Sequence, residues 1–247
     1  MINIPKLFGQ GFVSSALRSA LKVIPNTYVL NIMQGPLKGS KWIKGAGVNG
    51  YWLGSYEIDH QKTFQSKIKE TSTFYDIGSH VGFFTLLASK CVGPRGQVYA
   101  FEPNPRNIYF LKEHLRLNKT QNVTLIEKAI SNETGVLNFS DDLGSSMGKL
   151  DKNGTTKVEV TTIDTLVAQG LKPPQFMKID VEGLQDQVIL GAIETIKKYK
   201  PQIIVEADCR PSDPQNFYSL LSPLGYKIIC LTGPELECAG DFYCYCD

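Results

Sequence analysis

A pair of glycines and two acids at fixed intervals mark where this chain of 247 residues can hold a ligand. Phe74-Tyr75-Asp76-Ile77-Gly78-Ser79-His80-Val81-Gly82 reads as an apolar strand, a tight glycine turn and the start of a helix. Glu102 lies twenty residues beyond Gly82, in Phe101-Glu102-Pro103, where a second apolar run ends. In a doubly wound sheet that position lets a carboxylate accept hydrogen bonds from both hydroxyls of a ribose. A dinucleotide site also wants two further glycines, so that the backbone can touch a diphosphate and the helix can pack closely on the strand. Here those positions are His80 and Phe83. Bulk at that point argues against NAD or FAD, whereas a sulfonium nucleoside has no diphosphate to cradle. The reading is a site for S-adenosylmethionine. Its expected contacts are Tyr56, Glu57, Asp76, Gly78, Ser79, His80, Gly82, Glu102, Pro103, Asn104, Ala129 and Asp180. Asp76 orients the turn or reaches the methionine ammonium, and Tyr56 and Glu57 close over the methionine end.

A second set of acids sits further along, with Asp180 ending one apolar run and Glu206 and Asp208 ending the next. Methyl transfer from such a cofactor is an in-line displacement, so the protein must position the acceptor and remove its proton. Two readings stand side by side. In one, Asp180 is the general base, with Glu182 and Lys178 positioning the reactants. In the other, Asp180, Glu206 and Asp208 are oxygen ligands of Mg²⁺, which would acidify the acceptor. His80 and His60 are alternative bases, since an unperturbed imidazole titrates near neutrality. Lys178, flanked by apolar residues, needs a carboxylate partner.

These side chains require a frame. Strands are expected at Thr73 to Ile77, Val98 to Glu102, Val123 to Ala129, Gln175 to Ile179 and Ile203 to Val205. The helices between them run from Val81 to Cys91, from Pro105 onward, and from Gly183 to Lys198. Gly135 to Ser140 and Lys157 to Thr162 read as an antiparallel insertion around the polar segment Asp141 to Gly154. A helix at Phe217 to Leu221 and strands at Tyr226 to Leu231 and Phe242 to Cys246 complete the sheet. The fold class is α/β: a Rossmann-like doubly wound sheet, mostly parallel, with a reversed C-terminal edge strand. Residues 1–50 are expected to add an amphipathic helix (Phe12 to Ile24) and a β-hairpin (Tyr28 to Met33 with Ser40 to Ile43). Residues 51–247 form the cofactor-binding domain, with a helix from Glu57 to Lys69.

Composition narrows the partners. A formal net charge of +2 without a dense basic stripe makes nucleic acid not the obvious partner; Lys112, Arg116 and Lys119 are a local basic patch or, more often on a helix, a solvated face. Arg18 and Lys22 interrupt the N-terminal apolar segment, so no membrane span is expected there. The six cysteines show no paired Cys-x-x-Cys spacing, which suits reduced thiols in a cytoplasmic protein.

From Tyr51 to Asp208 the chain resembles the FkbM family of S-adenosylmethionine-dependent methyltransferases, whose fold is that of the class I methyltransferases. The resemblance rests on Gly54-Ser55-Tyr56-Glu57, Asp76 to Gly82, Ala100 to Pro105, Thr161 to Leu166 and Lys178-Ile179-Asp180-Val181-Glu182-Gly183. It implies O-methylation of a hydroxyl on a sugar, glycolipid or natural product, and so a small hydroxylated, sugar-containing partner. The alternatives are transfer to nitrogen, RNA or protein, or a silent cofactor-binding scaffold. Two positions depart from the family pattern: Ser79-His80 stand where Ala-Asn is usual, and Gln185 stands where Glu is usual.

Overall fold

The computed structural model describes residues 24–140, 149–150, 154–181, 183–207, 216–231 and 240–247. The amphipathic segment expected at 12–24, nearly all of the Asp141 to Gly154 loop, Glu182 and Asp208 lie outside the described residues.

A seven-stranded sheet carries the molecule. In chain order its strands are β3 (Thr73–Ile77), β4 (Gln97–Phe101), β5 (Val123–Ile126), β10 (Phe176–Ile179), β11 (Gln202–Ala207), β12 (Lys227–Cys230) and β13 (Gly240–Tyr245). Their spatial order is β12-β13-β11-β10-β3-β4-β5. β3, β4, β5, β10 and β11 are parallel, and β13 pairs antiparallel with both β11 and β12. The reversed strand is thus one place in from the edge rather than at it, because β12 takes the edge.

Side chains alternate across this sheet, and both faces are apolar. Phe74, Val98, Phe176, Ile204 and Tyr243 face one cluster; Tyr75, Phe101, Met177, Ile203, Val205 and Phe242 face the other. Over the first face lie α1 (Asn49–Leu53), α2 (Ile58–Lys67) and α3 (Phe83–Val92). Over the second lie α5 (Ile163–Ala168), α6 (Gln185–Leu190), α7 (Ile193–Tyr199) and α8 (Phe217–Leu221). The fourth helix, α4 (Pro105–Leu117), begins with Asn104 accepting from the Arg106 N–H at 2.9 Å and with proline at its first turn.

The hairpin of β1 (Val29–Asn31) and β2 (Lys41–Ile43) packs into the first cluster through Ile32, Leu37, Trp42 and Ile43. Trp42 stacks on His114, with ring centres 3.8 Å apart. His114 donates from Nδ1 to the Val81 carbonyl (2.8 Å) and accepts the Ile43 N–H at Nε2 (3.1 Å). Burial pushes its pKa down to about 4, so the ring is a neutral pin between hairpin and glycine turn.

Two expected elements are interrupted. The strand expected from Val123 to Ala129 ends at Ile126, because the Lys128 N–H turns back to the Ile126 carbonyl (2.9 Å). β6 (Ala129–Ile130) then joins a separate sheet of order β6-β9-β7-β8, with β7 (Gly135–Ser140), β8 (Lys149–Leu150) and β9 (Thr156–Thr161). The helix expected from Gly183 to Lys198 is two helices, α6 and α7. At the break, a Cβ on Gly191 would sit 2.0 Å from the Ser131 carbonyl oxygen, so the chain meets the strand-end backbone there. Asp164 closes the gap by accepting the N–H groups of Glu194 (3.1 Å) and Thr195 (2.8 Å), which caps α7.

Candidate active site

The crevice lies at the carboxyl ends of β3, β4, β10 and β11, where a doubly wound sheet places ligands. It encloses a cavity of about 410 Å³. Gly78 turns the chain at the end of β3 with φ of +79°, and a Cβ there would fall 1.8 Å from the Asp180 carbonyl oxygen. Only glycine permits both the dihedral and the approach. His80 adopts φ of +51° in the same turn.

The N–H groups of Gly78 and Ser79 both reach the Phe101 carbonyl (3.1 and 3.0 Å), and that of His80 reaches Glu102 Oε2 (2.8 Å). Three successive amides therefore bind the end of β4 and leave no cradle for a diphosphate. Glu102 also accepts from the Asn104 N–H (2.9 Å) and from Asn107 Nδ2 (3.3 Å). Burial outweighs these donors and pushes its pKa up to about 7. Asp76 is fully buried, with Oδ2 accepting from the Thr85 hydroxyl at 2.5 Å. Its Oδ1 has no hydrogen-bond partner among the described residues, and the residue lines the cavity. A buried carboxylate oxygen without a donor is a place for one from a ligand.

Across the cavity, Lys178 and Asp180 project to the same side of β10, and Lys178 Nζ lies 2.5 Å from Asp180 Oδ2. Lys178 is 4% exposed at its side chain and also packs over the Phe84 ring at 5.1 Å. Desolvation opposes its charge, but Asp180 and Asp76 reverse the balance and hold its pKa above that of an ordinary lysine. Asp180 is also desolvated, yet Lys178 keeps its pKa below the usual range. Glu206 hydrogen-bonds to Asp180, and the repulsion from Asp180, followed by desolvation, pushes the Glu206 pKa up to about 8. Tyr51, Tyr56, Phe83 and Phe84 form an aromatic wall in the same cavity, and the Tyr51 hydroxyl lies 3.2 Å from His80 Nδ1.

Of the residues expected from sequence, Tyr56, Asp76, Gly78, Ser79, His80, Glu102, Pro103, Ala129, Asp180 and Glu206 line the cavity. Glu57, Gly82 and Asn104 stand behind it. Glu57 sits at the N-terminus of α2 and pairs with His60, Gly82 lets α3 approach Leu111, and Asn104 caps α4. His60 is buried between Glu57 (2.8 Å) and Asp241 (3.0 Å) and does not line the cavity. Tyr51, Asn107, Lys128 and Phe139 were missed. Asn107, five residues from Glu102 on the first turn of α4, was the one with a local signal. For a metal, the described residues offer no group of three suitable ligands. Asp208, the third expected ligand, lies outside the described residues, and Asp180 is paired with the Lys178 ammonium.

Residues 76–228 match the family description "Methyltransferase FkbM domain". The chain belongs to this family. No curated protein sequence matches it. The crystal structure of a methyltransferase FkbM from Methylobacillus flagellatus is similar, with a TM-score of 0.55 and 20% identity, covering 72% of this chain and 44% of that one. The present chain thus spans less than half the length of that structure, and the likeness is one of fold. A SAM-dependent O-methyltransferase from Thermotoga maritima gives 0.48 at 12% identity, covering 76% of this chain and 64% of that one. Fibrillarin from Aeropyrum pernix, with natively bound S-adenosyl-L-methionine, gives 0.44 at 14%, covering 72% and 67%. S-adenosylmethionine is the cofactor of the FkbM family, and the residues present fit it: Glu102 is a carboxylate acceptor at the end of β4, Asp76 Oδ1 is a buried acceptor without a donor among the described residues, and the turn amides leave no diphosphate cradle. No helix among the described residues is long and apolar enough to cross a membrane.

Proposed function

We propose that this FkbM domain methylates a hydroxyl of a neutral, saccharide-like acceptor. The observation that carries the reading is the lining of the crevice, where the carboxylates of Asp180 and Glu206 share one cavity with the rings of Tyr51, Tyr56 and Phe84. Carboxylates accept from several hydroxyls at once, and aromatic faces pack against the C–H faces of a sugar ring. An anionic acceptor would meet two acids there. The cation in that lining, Lys178, is already engaged by Asp180.

When bound, S-adenosylmethionine supplies a methyl group on a positive sulfur, which needs no further activation. Glu102 orients the nucleoside through the ribose, and Asp76 holds the methionine end. The aromatic wall keeps water from the reacting atoms, which strengthens every charge interaction inside. Asp180, fixed by Lys178, presents its remaining oxygen to the acceptor and positions it.

Calorimetric titration with S-adenosylmethionine, S-adenosylhomocysteine and NADH comes first. The two adenosyl ligands should bind and NADH should not. Transfer of a tritiated methyl group is then measured to methyl glycosides, glucosamine, tRNA and a lysine peptide. Label in an alkali-stable glycoside ether supports the reading. Label confined to the amines, RNA or peptide sinks it.

A further inference from the structure

Three acids stand side by side at the sheet end beneath the aromatic wall. β10 and β11 are in register at Ile179 and Val205, so Asp180 and Glu206 are the next positions on adjacent strands. On the other flank Glu206 pairs in register with Asp241 of β13. Both outer acids have a buried cation of their own. Lys178 lies 2.5 Å from Asp180, and His60 Nε2 lies 3.0 Å from Asp241 while its Nδ1 holds Glu57 at 2.8 Å. Glu206 has no ion pair among the described residues, is exposed, and lines the cavity. We infer that Glu206 is the catalytic residue that takes the acceptor's proton, and that Lys178–Asp180 and His60–Asp241 are positioning pairs that flank it.

The pairing decides between the carboxylates. A carboxylate neutralised by an ammonium at 2.5 Å is a poor proton acceptor, because protonation would leave a buried lysine without its counter-charge. Asp180 is so held, while Asp241 has His60 Nε2 at 3.0 Å and does not line the cavity. Glu206 is in the opposite position. The groups that face it are Asp180 and Lys178 on β10, Asp241 on β13 and Glu57 ahead of α2, an excess of negative charge that makes it welcome a proton. A base with affinity near the working pH transfers protons best.

In the step itself, the acceptor's O–H bond breaks and the proton moves onto a Glu206 oxygen. The oxygen's electron pair forms the new bond to the methyl carbon, while the carbon–sulfur pair stays on sulfur. Being exposed, Glu206 then returns the proton to water. The inference rests on the methyltransferase reading above.

The test uses the whole chain and two readouts. The first is carboxyl ¹³C NMR of protein labelled at Asp and Glu, titrated from pH 5 to 10 without ligand. A resonance that titrates near pH 8 should vanish in Glu206→Gln and move to lower pH in Asp180→Asn. Its persistence in Glu206→Gln overturns the assignment, as does the lack of any carboxyl titrating above pH 6.5 other than those of Glu102 and Asp76, both of which burial also shifts up. The second is methyl transfer to methyl glycosides. Glu206→Gln should lose about 10²–10⁴-fold in kcat with the acceptor KM and the S-adenosylmethionine Kd within twofold of wild type. The rise of kcat/KM with pH should flatten. A Glu206→Gln enzyme that turns over at the wild-type rate overturns the inference. Wild-type protein that methylates none of the glycosides removes the substrate reading instead, and the NMR titration then decides for or against Glu206.

Discussion

The two sides of the crevice are held by different means. On the cofactor side, at the ends of β3 and β4, three backbone N–H groups and a glycine dihedral fix the turn, and one buried carboxylate collects donors. On the acceptor side, at the ends of β10, β11 and β13, the shape comes from long side chains, with Lys178 and His60 each buried among acids. A backbone-built site keeps its geometry when charge changes. A site built from ion pairs takes its geometry from charge balance, so its chemistry follows pH.

The sharpest break in this contrast is Lys178→Met. It strands Asp180 and Asp76 without their shared cation and should cost about 3–5 kcal/mol, read from urea unfolding. A loss below about 1 kcal/mol would show that the lysine is not needed on the acceptor side. Next comes Gly78→Ala, which forces a Cβ against the Asp180 carbonyl oxygen at positive φ. We expect about 3 kcal/mol of destabilisation and loss of S-adenosylmethionine binding, measured by thermal unfolding and calorimetry. Wild-type affinity in this variant would mean that the turn tolerates distortion.

Smaller effects separate the sides by pH. His60 is desolvated, but Asp241 and Glu57 raise its pKa to about 9. A raised pKa means that the fold favours the imidazolium. The stability His60 adds is therefore complete below its unfolded value of 6.5 and lost as pH rises through about 9. Wild type should exceed His60→Gln by on the order of 2–3 kcal/mol at pH 6, and the two urea midpoints should converge near pH 9.5. Parallel curves at all pH values would remove the charged pairing. Glu102 works in the other direction, since ribose hydroxyls need its ionised form while burial favours the protonated one. Binding of S-adenosylmethionine should release a proton below pH 7 and weaken about tenfold from pH 7.5 to pH 6, a dependence absent in Glu102→Gln. Proton release is read from binding enthalpies in buffers of different ionisation heat.

The same contrast explains what the sequence revealed. Gly78 and Glu102 were legible because one strand-turn-helix-strand unit places them, and their spacing carries the geometry. Asp180 and Glu206 were visible as strand ends, but not the division of labour between them. That division depends on β13 bringing Asp241 beside β11 from 35 residues further along (241 − 206) and on α2 bringing His60 to meet it. Neither pairing leaves a local trace. His60 was an alternative base in the sequence and is a buried structural cation in the fold. The strand through Ala129 and the helix through Gly191 each looked continuous because periodicity does not register a neighbouring backbone, here the Ser131 carbonyl. Asp164 belongs to a motif singled out by resemblance, and its observed work is to cap α7.

The placement of β13 has a consequence for assembly. It is the last strand of the sheet in chain order, yet it is inserted between β11 and β12, hydrogen-bonded on both edges. The parallel strands β3 and β4 can pair as they leave the ribosome, whereas β11 keeps an open edge until residues 240–245 arrive to fill it. The acid row is complete only at that moment. A growing chain therefore acquires its nucleoside grip well before its proton-handling apparatus, and the final strand serves as the clasp that arms it.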